Sequence, residues 1–152
     1  AGEHHNLALT ADGADWSWGG GGFGRLGHGD GQNQLLPKRV EALTGQRVLA
    51  VSAGFAHSLA ITADGSVWSW GWGGNGRLGH GDTQDQLLPK KVEALAGQRV
   101  IAVSAGERHS LATTADSAIF TWGQGEHGRL GHGEDLSIQL LPKKIETWAP
   151  GQ

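Results

Sequence analysis

A chain of 152 residues with 27 Gly, seven Trp and neither Cys nor Met has room for one domain, or for part of a larger one. Without cysteine it holds no disulfide scaffold, thiolate metal site or cysteine nucleophile, and its net charge of −3 offers nucleic acid no global basic field. No apolar run approaches the ~20 residues that span a bilayer as a helix, and the tryptophans and regular apolar runs argue for a packed, soluble domain despite glycine far above the usual ~7%.

Three units follow one another along the chain, opening at Ala1-Gly2, Ala53-Gly54 and Ala105-Gly106, and they divide it into residues 1–52, 53–104 and 105–152. His5, His57 and His109 fall in register, as do Trp18, Trp70 and Trp122. The run Arg25 to Gly29 recurs at Arg77 to Gly81 and at Arg129 to Gly133. Leu-Leu-Pro recurs at Leu35, Leu87 and, after one inserted residue, Leu140.

Each unit reads as four short strands. Val48 and Val51, like Val100 and Val103, lie in runs of β-formers that end at Ala-Gly. Ser58 to Thr62 follows and closes on Asp64-Gly65, a two-residue hairpin signal. Trp68 and Trp70 then alternate with Val67 and Ser69, which puts both indoles on one strand face. After a glycine-rich loop, Leu87 to Leu95 supplies the fourth strand, with Pro89 near its start. No segment repeats its apolar residues every 3.6 positions over ten residues, so helix content should be minimal.

The first unit lacks its opening strand, because the chain starts at the Ala-Gly that follows that strand elsewhere. Eleven strands are therefore expected, and three blades are fewer than the 4–8 that usually close a ring. The expected fold class is all-β, with propeller-type blades of four antiparallel strands, three repeats forming an open or partial propeller. The chain is expected to be a fragment of a longer propeller or one piece of an assembly, with exposed edges prone to association.

The linked strings Val-Ser-Ala-Gly-Phe-Ala-His-Ser-Leu-Ala from Val51, Asp-Gly-Ser-Val-Trp-Ser-Trp-Gly from Asp64 and Gly-Arg-Leu-Gly-His-Gly-Asp from Gly76 resemble the regulator of chromosome condensation repeat. The resemblance covers all three units. It implies a seven-bladed β-propeller, of which three units make a little under half, and an intracellular setting, cytoplasmic or nuclear. Members include an exchange factor for the small GTPase Ran, modules of HECT-type ubiquitin ligases, ciliary scaffolds and a plant UV-B photoreceptor, so the fold alone does not decide the function. In the photoreceptor the sensing tryptophans follow the Gly of Gly-x-x-His. Glu3, Phe55 and Glu107 stand there in this chain, and no light sensing is expected.

Several chemistries can be drawn on paper. Gly19 to Gly24, Gly71 to Gly76 and Gly123 to Gly128 match a dinucleotide fingerprint, yet no helix follows to receive a pyrophosphate. His28, His80 and His132, one per unit, lie a blade width apart, too far for one ion, and each imidazole is expected to tie its own loop, as are His5, His57 and His109. Ser58, His57 and Asp64 could be written as a triad, but the trio recurs as Ser110, His109 and Asp116 with no nucleophile elbow. Lys38-Arg39, Lys90-Lys91 and Lys143-Lys144 are followed by Glu41, Glu93 and Glu146, the pattern of charged edge strands. No metal, cofactor, small-molecule substrate or catalytic residue is expected.

The Gly-x-x-His turn and the long glycine-rich loop should emerge at one end of each blade, and the variation between units concentrates there. Glu3, Phe55 and Glu107 differ, as do His4, Ala56 and Arg108, then Gly20, Trp72 and Gln124, then Phe23, Asn75 and His127. Trp72 has no counterpart and is expected to be exposed, flanked by Phe and Arg in the manner of an interface anchor. The expected partner-binding residues are Phe23, Phe55, Trp72, Asn75, Glu107, Arg108 and His127. The leading expectation is a non-catalytic propeller segment that binds a protein partner through this loop face. The alternatives are an exchange-factor-like regulator of a Ran-type GTPase and a block that self-associates through its open blade edges.

Overall fold

Among the described residues, short runs of β-branched, aromatic and small residues, each ended by glycine or a tight turn, form eleven strands in three antiparallel sheets. The computed structural model describes residues 2 and 4–146. The first sheet holds β1 (His5–Leu9), β2 (Asp15–Gly19) and β3 (Gln34–Arg39). The second holds β4 (Val48–Ala53), β5 (His57–Thr62), β6 (Val67–Gly71) and β7 (Gln86–Lys91), and the third β8 (Val100–Ala105), β9 (His109–Thr114), β10 (Ile119–Gly123) and β11 (Gln139–Lys144). Strands pair in chain order, and the described sheets do not close into a ring. No helix among the described residues is long and apolar enough to cross a membrane.

Two local expectations change. The hairpin after β5 is a three-residue connection: the Gly65 N–H donates to Thr62 O at 2.9 Å, the Thr62 N–H donates to Ser66 O at 3.0 Å, and Gly65 has φ +82° while Asp64 does not enter the left-handed region. That is a type I turn closed by a glycine bulge, which a mirror-image two-residue turn could not be without positive φ at Asp64. The fourth strand ends at Lys91 instead of running to Leu95. Residues Glu93–Leu95 make a 3₁₀ turn that folds Leu95 into the core. Pro89 sits on this outermost strand, inside the register shift between Ser69 and Gly71, where no ladder hydrogen bond is lost.

The core lies in the seams between sheets. Trp70 and Ala60 of the second sheet pack on Val40 and Leu43 of the first, with Val48 beside them. Trp122 and Ala112 of the third sheet pack on Leu59, Ile61, Val67, Val92 and Leu95 in the same manner. Each of the buried Val, Leu and Ile side chains contributes about 1.5–3 kcal/mol. Trp16 and Trp18, the first sheet's counterparts of Trp68 and Trp70, remain half-buried. Asp15 stands where the other units have Val67 and Ile119, which makes the first unit the least apolar, and its side chain is only 2% exposed.

Candidate functional site

Both seams use the same hydrogen bonds. His5 Nε2 meets Ser58 Oγ at 2.9 Å and His57 Nε2 meets Ser110 Oγ at 2.9 Å, so these histidines reach the next sheet and do not tie their own loops. The serine hydroxyls donate to Arg25 O and Arg77 O, both at 2.8 Å, which leaves the imidazole as donor to each serine. Burial first, and the neighbouring Arg25 or Arg77 second, hold His5 down to about 4 and His57 down to about 3. A Cβ on Gly54 would lie 2.5 Å from Gly106 O and 2.6 Å from His57 Cε1, so Gly-x-x-His needs its glycine for the ring to tuck beneath the turn. His28, His80 and His132 do tie their own loops, to Ser17 at 2.9 Å, Ser69 at 2.8 Å and Thr121 at 3.0 Å.

The paper triad is dispersed by this arrangement. Ser58 gives its proton to a carbonyl, His57 serves the next sheet, and Asp64 accepts from Thr62 Oγ1 at 2.7 Å in the turn at the other end of β5. The fingerprint-like glycine runs enter 3₁₀ turns at Gly22–Gly24, Gly74–Gly76 and Glu126–Gly128.

The two variable loop families share one end of the sheets. The Trp72 N–H donates to Ala56 O at 2.9 Å, the Gly20 N–H to His4 O at 2.7 Å and the Gln124 N–H to Arg108 O at 2.9 Å. In the sequence Arg25 and Arg77 stand out only as members of a run that recurs in every unit. They organise this rim. Arg25 donates from Nε to Gly22 O at 2.9 Å and from Nη1 across the seam to Phe55 O at 3.2 Å. Arg77 repeats this with Gly74 O at 2.8 Å and Glu107 O at 2.7 Å, and burial lowers it to about 10.

Between the arginines lies an aromatic pair that joins two sheets. Phe23 stacks on Trp72 with ring centroids 4.8 Å apart and planes 14° apart. The Arg77 guanidinium carbon lies 4.0 Å over the Trp72 ring, and that of Arg25 lies 5.8 Å from the Phe23 centroid. A continuous ladder results: Phe55 carbonyl, Arg25, Phe23, Trp72, Arg77, Glu107 carbonyl. His4 meets Phe55 edge-on at 5.3 Å.

Trp72 is therefore half-buried within this stack and not the exposed anchor its sequence context suggests. Phe23, at 44%, is the exposed member of the pair. Glu107 and Arg108 are exposed and lie 3.8 Å from each other, a geometry worth little in water. Phe23, Asn75 and His127 occupy equivalent positions with φ 61°, 63° and 64°, a left-handed conformation that costs a bulky residue about 1–3 kcal/mol. Asn75, the residue type most at ease there, was the available signal. His127 projects from the third sheet beside Glu126, 3.8 Å away. Glu3 lies outside the described residues.

The sequence profile described as Regulator of chromosome condensation (RCC1) repeat matches residues 12–61, 64–113 and 116–149, and a second profile of the same description matches 48–77 and 100–129. Ultraviolet-B receptor UVR8 of Arabidopsis thaliana is 41% identical over 146 residues, which span 96% of this chain and 33% of that protein. E3 ubiquitin-protein ligase HERC2 of Homo sapiens is 46% identical over 148 residues, 96% of this chain and 3% of that one. Among solved structures, Prp20p of Saccharomyces cerevisiae, described with its binding to Gsp1p and histones, superimposes with a TM-score of 0.86 at 28% identity over 99% of this chain and 38% of that chain. The chain thus spans a third or less of the length of these two curated relatives.

Proposed function

The chain belongs to the regulator of chromosome condensation repeat family, and from that premise we propose that it is a non-catalytic, protein-binding propeller segment whose contact surface is the loop end. The observation that carries the reading is the Phe23–Trp72 stack: an exposed ring held rigid by a half-buried one and braced by two arginines. A pre-ordered aromatic loses little entropy on binding, which is what makes such residues effective anchors. Phe55, Asn75, Glu107, Arg108 and His127 surround it as the changeable part of the surface, in a cytoplasmic or nuclear setting. The test is retention of a Ran-type GTPase, of histones and of lysate proteins on the immobilised chain, compared with Phe23→Ala, Trp72→Ala and the outer-strand variant Lys38→Ala. A partner lost with the rim variants and kept with Lys38→Ala supports the reading. Partners held equally by all of them overturn it.

A second reading, exchange-factor-like regulation of a Ran-type GTPase, draws on the likeness to Prp20p, whose description names Gsp1p. Nucleotide release from such a GTPase, unchanged by a stoichiometric amount of the chain, would set it aside. Self-association is favoured by Trp18, half-buried where its counterpart Trp70 is fully buried, and by Leu35, 93% exposed where its counterpart Leu87 packs on the loop of the preceding sheet. Light scattering across a concentration series tests that reading.

A further inference from the structure

Asp15, Val67 and Ile119 open equivalent strands in the three sheets. Val67 packs among Val92, Leu95 and Val100, and the Val92 N–H donates to Val67 O at 2.8 Å. The Val40 N–H likewise donates to Asp15 O at 2.9 Å, and the equivalent neighbours Val40, Leu43 and Val48 are all buried. A carboxyl group thus occupies an aliphatic position in the first seam, and both its oxygens are buried without a hydrogen-bond partner. The Trp16 N–H leans toward it without reaching bonding geometry.

No charged side chain on the surrounding elements reaches the Asp15 oxygens. Asp12 accepts from Thr10 Oγ1 at 2.5 Å, and Glu41 accepts from Thr44 Oγ1 at 3.3 Å. Lys38 and Arg39 of β3 stand opposite Ser17 and Trp16, and Arg47 lies against Gly13. His28 is bonded to Ser17 and His5 to Ser58, and from the second sheet His57 turns to Ser110. An ionised carboxylate here has no compensating partner, and in an aliphatic seam that is a costly state.

We propose that Asp15 is a proton-operated latch on the first seam: neutral, it lets the first two sheets close as the second and third do around Val67; ionised, it admits water and opens the seam from the Gly13 turn, the end opposite the loop rim. Burial pushes the Asp15 carboxyl up to about 7, from 3.8 when exposed, so the change falls near neutral pH. Between those two values the closed seam holds a proton that the open seam has released. Closure therefore weakens as pH rises and levels off once the closed form has also ionised. The latch does not rest on the loop-end reading above.

Amide hydrogen exchange on the intact 152-residue chain tests it, because the second seam is a built-in reference. Val48 N–H to Gly13 O and Gly29 N–H to Leu87 O, both 3.0 Å, report the first seam. Val100 N–H to Gly65 O, 3.3 Å, and Gly81 N–H to Leu140 O, 2.9 Å, report the second. Taking the ratio of equivalent amides cancels the base catalysis of exchange. The first seam should open more readily relative to the second by nearly tenfold per pH unit at first, roughly fiftyfold in all from pH 5 to pH 7, and then flatten. Asp15→Val restores the aliphatic residue of the second sheet and should make the ratio constant, and Asp15→Asn should do the same. A constant ratio in the unmodified chain, or a pH-dependent one in Asp15→Val, overturns the latch. No partner takes part in this measurement, so its failure and that of the loop-end reading are separable.

Discussion

His57 and Ser110 stand on different sheets, and their 2.9 Å contact is one step of a chain that runs from imidazole to hydroxyl to the Arg77 carbonyl. The indole Nε1 of Trp122 donates to the same carbonyl at 2.9 Å, so one main-chain oxygen of the second sheet gathers two side chains of the third. The seam is fixed by direction as well as by apolar area, since a slip of one residue would break every member of the relay.

Removing either side chain should therefore cost more than surface truncations do. Ser110→Ala is expected to destabilise by about 1–3 kcal/mol, because it leaves a buried imidazole N–H unpaired. His57→Ala should cost at least as much, and the pair should be coupled by about 0.5–3 kcal/mol in a double-mutant cycle read by urea denaturation. Additive losses would mean that the contact is incidental.

The same histidines set an acid limit. Their folded values, about 4 for His5 and about 3 for His57, lie below the ordinary 6.5, so the unfolded chain takes up protons first as pH falls. Stability should decline from about pH 6.5 toward 4, by up to about 1.4 kcal/mol per pH unit for each histidine. Asp15 acts in the opposite sense over part of this window, so the titration is cleanest in Asp15→Val. A flat profile there would contradict the buried neutral imidazoles.

Phe23 and Trp72 should couple by about 0.5–1.5 kcal/mol beyond their separate truncations, as stacked aromatic pairs do. The cycle Phe23→Ala, Trp72→Ala and the double variant measures it by thermal denaturation. No coupling would mean that the rings merely lie side by side.

Arg77 is fully buried and bonds two carbonyls, whereas Arg129 bonds Glu126 O and Gln124 within its own loop. Arg77→Lys cannot span Gly74 O and Glu107 O with a single ammonium. Losses of about 1.5–3 kcal/mol are expected for it, against less than about 0.5 kcal/mol for Arg129→Ala, both read by urea denaturation. Equal losses would refute the bridging role.

Ser117 holds φ 69° where the other units have Gly13 and Gly65, both at φ 82°. Ser117→Gly should stabilise by about 0.5–1 kcal/mol, visible as a higher melting temperature. A neutral or negative result would mean that the serine side chain contributes as much as its backbone strain costs.

The strands were legible because alternation and repeat register both act locally: Trp68 and Trp70 on one face, Val67 and Ser69 on the other. What was hidden depends on neighbours that the sequence does not name. Leu95 looks like strand until Val92 and Val67 show that it must turn inward. Trp72 looks exposed until Phe23, on another sheet, covers it. Arg77 repeats in every unit, and nothing local in the sequence points to its bond with a turn 30 residues away. Asp15 breaks the pattern of Val67 and Ile119, but only the closed seam shows that a carboxyl lies buried there.

Arg25 and Arg77 grip the carbonyls of Phe55 and Glu107 and never touch those side chains by hydrogen bond. The joint between sheets thus recognises the main chain, which every residue type possesses. An aromatic and an acid can occupy the same station without renegotiating the joint beneath them. The rim behaves as a rack of sockets: the fastening is common to all positions, and what is mounted on each can change one substitution at a time. Diversification of the surface and preservation of the frame are, for this architecture, independent operations.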